Sequence, residues 1–278
     1  MASTAFQTLY RQEFVSAFEQ RQSLLRASVT TSANINGNAA VFLVAGSGGA
    51  SAVTRGVNGL IPARSDDLTQ LTATLAEWHD LVQRTGFNVE SSQGDARRIM
   101  QETTMGVINR KIDADIIAQL DEATNDTGAS TTGSLALVAK AMAILGNAEV
   151  QIEDENNMFG VISPAMHAYL MQVSSFTSAD YVEVKPFAGP FRRYRRWYGV
   201  NWIVHPNVSG VGTSTEKCYI FHRDAIGHAV NKDVRMAVGY DDEQDYSYAR
   251  ASVYMGSKLL QNTGVVQVKH DGSAYVAA

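Results

Sequence analysis

The stretch Gln93–Leu120, QGDARRIMQETTMGVINRKIDADIIAQL, holds two glycines and no proline, and the rest of the chain is read outward from it. At helical spacing Met105, Ile108, Ile112, Ile116 and Leu120 fall on one side, and Ile99, Met100, Val107 and Ile117 make a second apolar strip. The spacing predicts a helix covered on more than one side. Ser91 or Ser92 can cap its start, and Asp95 stands near the positive end of its dipole. From Asp95, roughly 26 residues at about 1.5 Å rise give a rod of about 39 Å, against a mean helix of about 11–12 residues. A rod that long serves either a bundle or a spine across a sheet, and its flanks favour the spine.

Upstream, Leu71, Ala73 and Leu75 alternate with Thr72 and Thr74, the pattern of a strand with one apolar face, and a return strand follows over Leu81–Val89. Before them Val41–Val44, VFLV, reads as a buried strand ended by Gly46-Ser47-Gly48-Gly49. Between the strands, Gly46 to about Ser65 is glycine-rich and carries Arg55 and Arg64, with Asp66-Asp67 at its end. Two strands framing such an excursion predict a long projecting hairpin, and excursions of that length are usually functional. At the start of the chain Phe6, Tyr10, Phe14 and Phe18 recur every four residues, an amphipathic helix of about four turns. It packs either into a local core or, as an arm, onto a neighbour; the polar Ser28–Asn38 stretch after it reads as a linker and favours the arm.

Downstream, Asn125–Gly133 is a soft break. Ser134 caps a helix bearing Leu135, Val138, Met142 and Leu145, which Gly146 can close. Phe159–Ile162 reads as a strand, and Ser163-Pro164 occupies the preferred positions for opening another helix. A strand over Val200–Val204 is stopped by Pro206, and Cys218–Phe221 is a strand leading into a short Asp224–Val230 helix. Ala249, Ala251, Val253 and Met255 alternate with Tyr248, Arg250, Ser252 and Tyr254 up to a break at Gly256, and Val265, Val266 and Val268 form a last strand.

Composition narrows the functional classes. The 278 residues are 45% hydrophobic, enough for one large core or two smaller ones. A net charge of −5 gives no overall basic footprint for sequence-specific nucleic-acid binding. The single cysteine, Cys218, excludes an intrachain disulfide framework and fits a reducing compartment. The N-terminus lacks the layout of a signal peptide, and no run approaches the roughly 20 apolar residues that span a bilayer. Only 18% of residues are charged, which suits a protein buried among copies of itself.

Candidate chemistry is thin. Ala45-Gly46-Ser47-Gly48-Gly49 after a strand imitates the nucleophile elbow of an α/β hydrolase with Ser47 as nucleophile, but an elbow runs into a helix and Ala50–Gly59 reads as a loop. His222-Arg223-Asp224 resembles a kinase catalytic triplet whose required asparagine is here Ala229. His222 and His228 are poorly spaced for a metal, and no phosphate-binding GxxxxGK occurs. Asp241, Asp242, Glu243 and Asp245 could hold a hard cation but lack the alternating ligands of a calcium loop; a solvated turn is the simpler reading. No catalytic, cofactor or metal residue is assigned.

Phe191–Tyr198, FRRYRRWY, interleaves four arginines with four aromatics. Arg192, Arg193, Arg195 and Arg196 could neutralise phosphates while the rings stack on bases. They equally suit a protein–protein contact, since Arg and aromatics are enriched in contact cores. The interface reading is preferred, and nonspecific DNA contact stays open.

The order of these parts resembles the HK97-fold major capsid proteins of tailed bacteriophages. It is carried by the arm helix, the hairpin with Arg55-Gly56-Val57-Asn58-Gly59-Leu60-Ile61-Pro62, and the spine helix with Arg110-Lys111-Ile112-Asp113. Val161-Ile162-Ser163-Pro164, Tyr198-Gly199-Val200-Asn201-Trp202-Ile203-Val204, Tyr219–Ile226 and Tyr254-Met255-Gly256-Ser257-Lys258 before Gly264-Val265-Val266 add to it, and it spans nearly the whole chain.

The resemblance implies an α+β fold: an N-terminal arm (1–38), an extended E-loop hairpin (39–88), a peripheral domain with the spine helix (89–128), an α/β axial domain (129–234) and peripheral C-terminal strands (235–278). It implies a structural coat protein, not an enzyme, assembling as hexamers and pentamers into an icosahedral virion shell around double-stranded DNA in the bacterial host cytoplasm. Fewer than about forty residues precede the hairpin, so a separate scaffolding protein is expected, with a portal besides. The assembly residues expected are Phe6, Tyr10, Phe14, Phe18, Arg55, Arg64, Asp66, Asp67, Arg192, Arg193, Arg195 and Arg196. The alternatives are an encapsulin-like nanocompartment with enzyme cargo and, from another class, the Ser47 hydrolase.

Overall fold

The computed structural model describes residues 22–31, 34–47, 49–63, 67–91, 96–173 and 195–275. The N-terminal arm stripe Phe6, Tyr10, Phe14 and Phe18 lies outside the described residues, as do Ser92 and Asp95. Eleven strands and four α-helices are described, in two compact units. Among described residues, one unit holds Glu77–Ile112 and Lys232–Met255; the other holds Leu24–Ala76, Asp113–Asn231 and the chain from Gly256. The long helix α2, Ala96–Asp121, and strands β9, Ile226–Asp241, and β10, Tyr246–Leu259, contribute to both.

Helix α2 has the predicted length of 26 residues. Met100, Ile108, Ile112, Ile116, Ile117 and Leu120 are buried, whereas Val107 is exposed, so the covered arc is narrower than two full strips. Ser91 ends a separate short helix α1, Gly86–Ser91, which also cuts the expected Leu81–Val89 strand short: β4 is Ala76–Thr85. In that unit a sheet runs in the order β4-β10-β9. On β10, Tyr246–Leu259, Ser247, Ala249, Ala251, Val253 and Met255 are buried in strict alternation. Gly256 does not break this strand. It instead lets the strand lie against the Thr74 carbonyl, where a Cβ would not fit.

The second unit carries a five-stranded sheet in the order β11-β8-β5-β7-β6, with the short edge strand β6 at Arg195–Trp197. Met158–Ile162 (β5) runs parallel to Val200–Val204 (β7) and antiparallel to Glu216–His222 (β8), which pairs with Val265–His270 (β11). β5 and β7 are covered on both faces, so the Val200–Val204 alternation does not mark a wet side. Buried Asn201 is satisfied by donating to the Met158 carbonyl (3.1 Å) and accepting from Arg196 (3.3 Å). Helices α3, Leu135–Asn147, and α4, Pro164–Gln172, are capped by Ser134 and Ser163 as expected. Gly146 stays inside α3, and Glu149 takes the left-handed conformation after it. Their residues Val138, Leu145, Met166 and Leu170 pack with Trp202, Ile220 and Val266 in one core cluster.

Two expectations fail here. Asp224–Val230 is not a helix: a single 3-10 turn, Arg223–Ala225, leads directly into the 16-residue strand β9, Ile226–Asp241. The apolar spacing of Ala225, Ile226 and Ala229 fits either structure, and pairing decides it. Ser28–Asn38 is not a free linker either. Leu25, Ser28 and Val29 are fully buried, Thr30 forms a parallel bridge with Gly227, and Asn34–Asn36 (β1) pairs with Ala39–Val41.

Candidate assembly surfaces

The hairpin is built from Ala39–Gly46 (β2) and Asp67–Thr74 (β3), antiparallel in a register from Ala39↔Thr74 to Gly46↔Asp67. Cross-strand partners share a face, so Ala40, Phe42 and Ala73 lie together, and all three are buried with Ala229. Burial stops there. Farther out Leu43 is 73% exposed and Leu68 is 70% exposed, on the opposite face.

The chain between these strands makes a tight turn at Gly56–Leu60. Gly59 N–H donates to the Gly56 carbonyl (2.8 Å) and Gly56 N–H to the Leu60 carbonyl (3.0 Å), with Gly59 at φ +69°. This is a three-residue turn closed by a left-handed glycine. Around it Val53, Val57, Leu60 and Ile61 are all exposed, Val57 completely. The glycines and charges of this segment draw the eye in the sequence, but its apolar letters, Val57-Asn58-Gly59-Leu60-Ile61, are what the tip exposes. Arg55 stands exposed on the same segment, Asp67 opens β3, and Arg64 and Asp66 lie outside the described residues. Arg55 and Arg64 are the only charged residues from Ala39 to Ser65, so the tip is apolar with a positive tint.

Ser47 follows β2 but is exposed and enters a turn, with Ala50 N–H donating to its carbonyl (3.1 Å). β2 lies in a three-stranded β1-β2-β3 sheet, antiparallel throughout. A nucleophile elbow needs a strand-to-helix turn, and neither its sheet nor its helix is present at Ser47.

FRRYRRWY ends in a short edge strand, Arg195–Trp197 (β6), joined to β7 by Tyr198-Gly199, both at positive φ, the geometry of a two-residue hairpin turn. Arg196 is engaged within its own chain, by Glu155 at 3.1 Å and the Asn156 side chain at 3.0 Å. Trp197 packs on the core and its carbonyl accepts from Trp202 Nε1 (2.9 Å). Arg192 and Arg193 lie outside the described residues, as does the side chain of Arg195.

A buried polar constellation surrounds Asp113. Asp113 of α2, fully buried, accepts the backbone N–H groups of Leu24 (3.0 Å) and Leu25 (3.1 Å). His205 Nδ1 accepts the Asn207 N–H (3.1 Å), so its proton sits on Nε2, which faces Asp113 Oδ2 at 3.3 Å. Thr30 extends the clasp, donating N–H to Ile226, accepting from His228 N–H and hydrogen-bonding Asp224 Oδ1 at 2.6 Å. The signal was an acid between Ile112 and Ile116 on the covered side of an apolar helix: a buried carboxylate needs partners.

Among the described residues no group of three or more His, Cys, Asp or Glu side chains is placed to hold a metal ion. Asp241–Asp245 form the turn between β9 and β10, with Asp241 accepting the N–H groups of Glu243 (3.0 Å) and Gln244 (3.2 Å). The Cys218 thiol is buried, and burial pushes its pKa up to about 12. Among the described residues no helix is long and apolar enough to cross a membrane.

Comparison with known proteins supplies the context for these surfaces. The family model described as phage capsid protein matches residues 2–272. No curated protein sequence matches the chain. Among solved structures, a chain of Mycobacterium phage Che8 superposes with a TM-score of 0.73 at 16% identity, covering 98% of this chain and 99% of that one. The capsid of a native GTA particle gives 0.65 at 14% identity over 98% and 99%. The capsid of Ralstonia phage GP4 gives 0.65 at 11% identity over 97% and 98%. At these identities the superpositions establish a shared HK97-like fold.

Proposed function

Since the chain belongs to the phage capsid protein family and is a major capsid protein of the virion shell, we propose that it closes that shell by laying its hairpin over a neighbouring copy. The observation that carries this is the apolar tip, Val53, Val57, Leu60 and Ile61, left in solvent by its own subunit. Burying each of Leu60 and Ile61 on a neighbour contributes about 1.5–3 kcal/mol. Arg55 and Arg64 add exposed ion pairs of roughly 0.2–1 kcal/mol each, small singly but repeated at every subunit.

In this reading hexamers and pentamers form an icosahedral shell around double-stranded DNA, contacted nonspecifically. Residues 1–38, 39–88, 89–128, 129–234 and 235–278 act as arm, E-loop, spine-bearing peripheral domain, axial domain and closing peripheral strands. The stripe Phe6, Tyr10, Phe14 and Phe18 docks outside its own core, and the Asp113 clasp on Leu24 and Leu25 fixes where that arm departs. A separate scaffolding protein and a portal complete assembly in the host cytoplasm. Arg192, Arg193 and Arg195 remain assembly residues; Arg196 instead orders the Glu155–Asn156 loop beside them. The phage capsid family match supports the coat reading over the encapsulin-like compartment.

Electron microscopy of the purified full-length chain, alone and with scaffold, tests this reading. Closed shells of uniform size are expected, and deletion of residues 1–21, which stops short of the clasp, should leave a folded subunit that assembles poorly. A wild-type chain that stays monomeric under all assembly conditions contradicts it.

A further inference from the structure

The hairpin is not the only surface this subunit leaves open. β9 is the last strand of its sheet among the described residues. Near its start its outer edge is occupied, since Thr30 pairs at Gly227. Beyond Lys232 the strand runs on to Asp241 with Met236, Val238 and Tyr240 exposed by 38%, 41% and 47% on one face. Natural edges are blunted by charge, proline or bulges, because unpaired N–H and C=O groups template pairing with another chain. Here Met236-Ala237-Val238-Gly239-Tyr240 carries none of those residues.

What flanks this bare segment suggests its occupant. Lys232, Asp233 and Arg235 precede it, with Arg235 adjoining, and Asp241, Asp242 and Glu243 follow it, with Asp241 adjoining. Such a strand is complementary to itself when reversed. Pairing two copies antiparallel about Val238 sets Arg235 opposite Asp241, Met236 opposite Tyr240, Ala237 opposite Gly239 and Val238 opposite itself, twice over by symmetry. A like-facing pairing would set Asp241 on Asp241 and Arg235 on Arg235 within the strand, whereas the reversed one brings acid to acid only at Asp233 and Glu243, past the strand's end at Asp241.

We propose that the outer edges of β9 from two copies of this chain pair antiparallel about Val238, giving the shell a two-fold, sheet-continuing contact separate from the hairpin. The residues used differ from those of the proposed hairpin contact, so either can fail alone.

Disulfide trapping in the full-length protein tests it. Opposed residues of an antiparallel pair have Cα atoms about 4.5–5.5 Å apart, within the disulfide range of about 4.4–6.8 Å. The native Cys218 is buried and does not compete. Under mild oxidation Val238→Cys should give a covalent dimer, roughly tenfold more than Lys232→Cys, whose two copies the register holds about 40 Å apart at about 3.3 Å per residue. A Met236→Cys/Tyr240→Cys double variant should crosslink likewise. Arg235→Asp should lower the Val238→Cys dimer yield, and adding Asp241→Arg should restore it.

Absence of a Val238→Cys and of a double-variant dimer in particles that form normally overturns the proposal; so does equal trapping from Lys232→Cys, or no rescue by the charge swap. Trapped dimers from a chain that forms no shells would support the β9 contact while contradicting the shell reading.

Discussion

The ring of Phe42, in the buried face of the hairpin, meets Gly227 of β9 so closely that a Cβ at 227 would lie 2.7 Å from its Cε1 and Cζ. This contact fixes the root of a hairpin whose outer half, among the described residues, leaves Leu43, Leu68, Leu60 and Ile61 exposed. Two letters far apart in sequence, an aromatic in VFLV and a glycine after His222-Arg223-Asp224, thus set where the projecting arm leaves the body.

Gly227→Ala should therefore destabilise the free subunit by about 1–3 kcal/mol through overpacking. Phe42→Ala should cost about 3–5 kcal/mol through the cavity it leaves. The double variant should lose less than the sum, because the added methyl enters the vacated space. Urea unfolding of unassembled subunits measures all three, and strict additivity would show the two positions are uncoupled.

Asp113→Asn should weaken the clasp more than it weakens the helix carrying it. Asparagine offers one acceptor where the carboxylate offers two, so an amide of Leu24 or Leu25 loses its partner at a cost of about 1.5–3 kcal/mol. Exchange of the Leu24 and Leu25 amides should accelerate while that of Ile116 and Leu120 changes little. Uniform acceleration across both sets would make Asp113 a general stability residue.

His228 gives the subunit a defined acid limb. Burial pushes its pKa down to about 4, against an ordinary 6.5, with Asp115 and Asp113 opposing the shift and Arg26 adding to it. As pH falls the unfolded chain takes up this proton first. Stability is therefore full above about pH 6.5, falls between about pH 6.5 and 4, and levels off below; the total loss is about 3 kcal/mol. His228→Gln, which can still reach Ser257, should flatten this limb in subunit unfolding measured at pH 7 and 4.5. A variant with the wild-type slope would assign the acid sensitivity elsewhere.

The sequence displayed these parts unequally. Helix α2, the capped helices α3 and α4, and β10 were legible because each is amphipathic over enough residues for its period to show. The Asp224–Val230 segment was not, because the spacing of Ala225, Ile226 and Ala229 also fits a helix, and it is pairing with β10 and with Thr30, nearly two hundred residues away, that makes it a strand. The linker reading of Ser28–Asn38 failed for the same reason: polar side chains hid a backbone held by long-range pairing. At the hairpin, position and arginines were visible, but exposed Leu43 and Leu68 carry no mark in a sequence, since alternation does not say which face is covered.

Leu60→Ser with Ile61→Ser should leave subunit stability within about 0.5 kcal/mol, as both side chains are already in solvent. Shells built from the variant should dissociate at lower chaotrope concentration. Arg55→Ala should act the same way more weakly, with its effect growing at low salt. A double variant with normal shells would remove the apolar tip from the assembly contact.

Hydrogen exchange over residues 49–63, compared between free subunits and closed shells, tests the central claim most directly. Ordering a backbone residue costs about 1–2 kcal/mol, and among described contacts this segment offers its own subunit little to offset that. Fast exchange in free subunits and strong protection in shells is the expected result. Equal protection in both states would show that the hairpin belongs to its own subunit, and the proposed closure through a neighbour would be wrong.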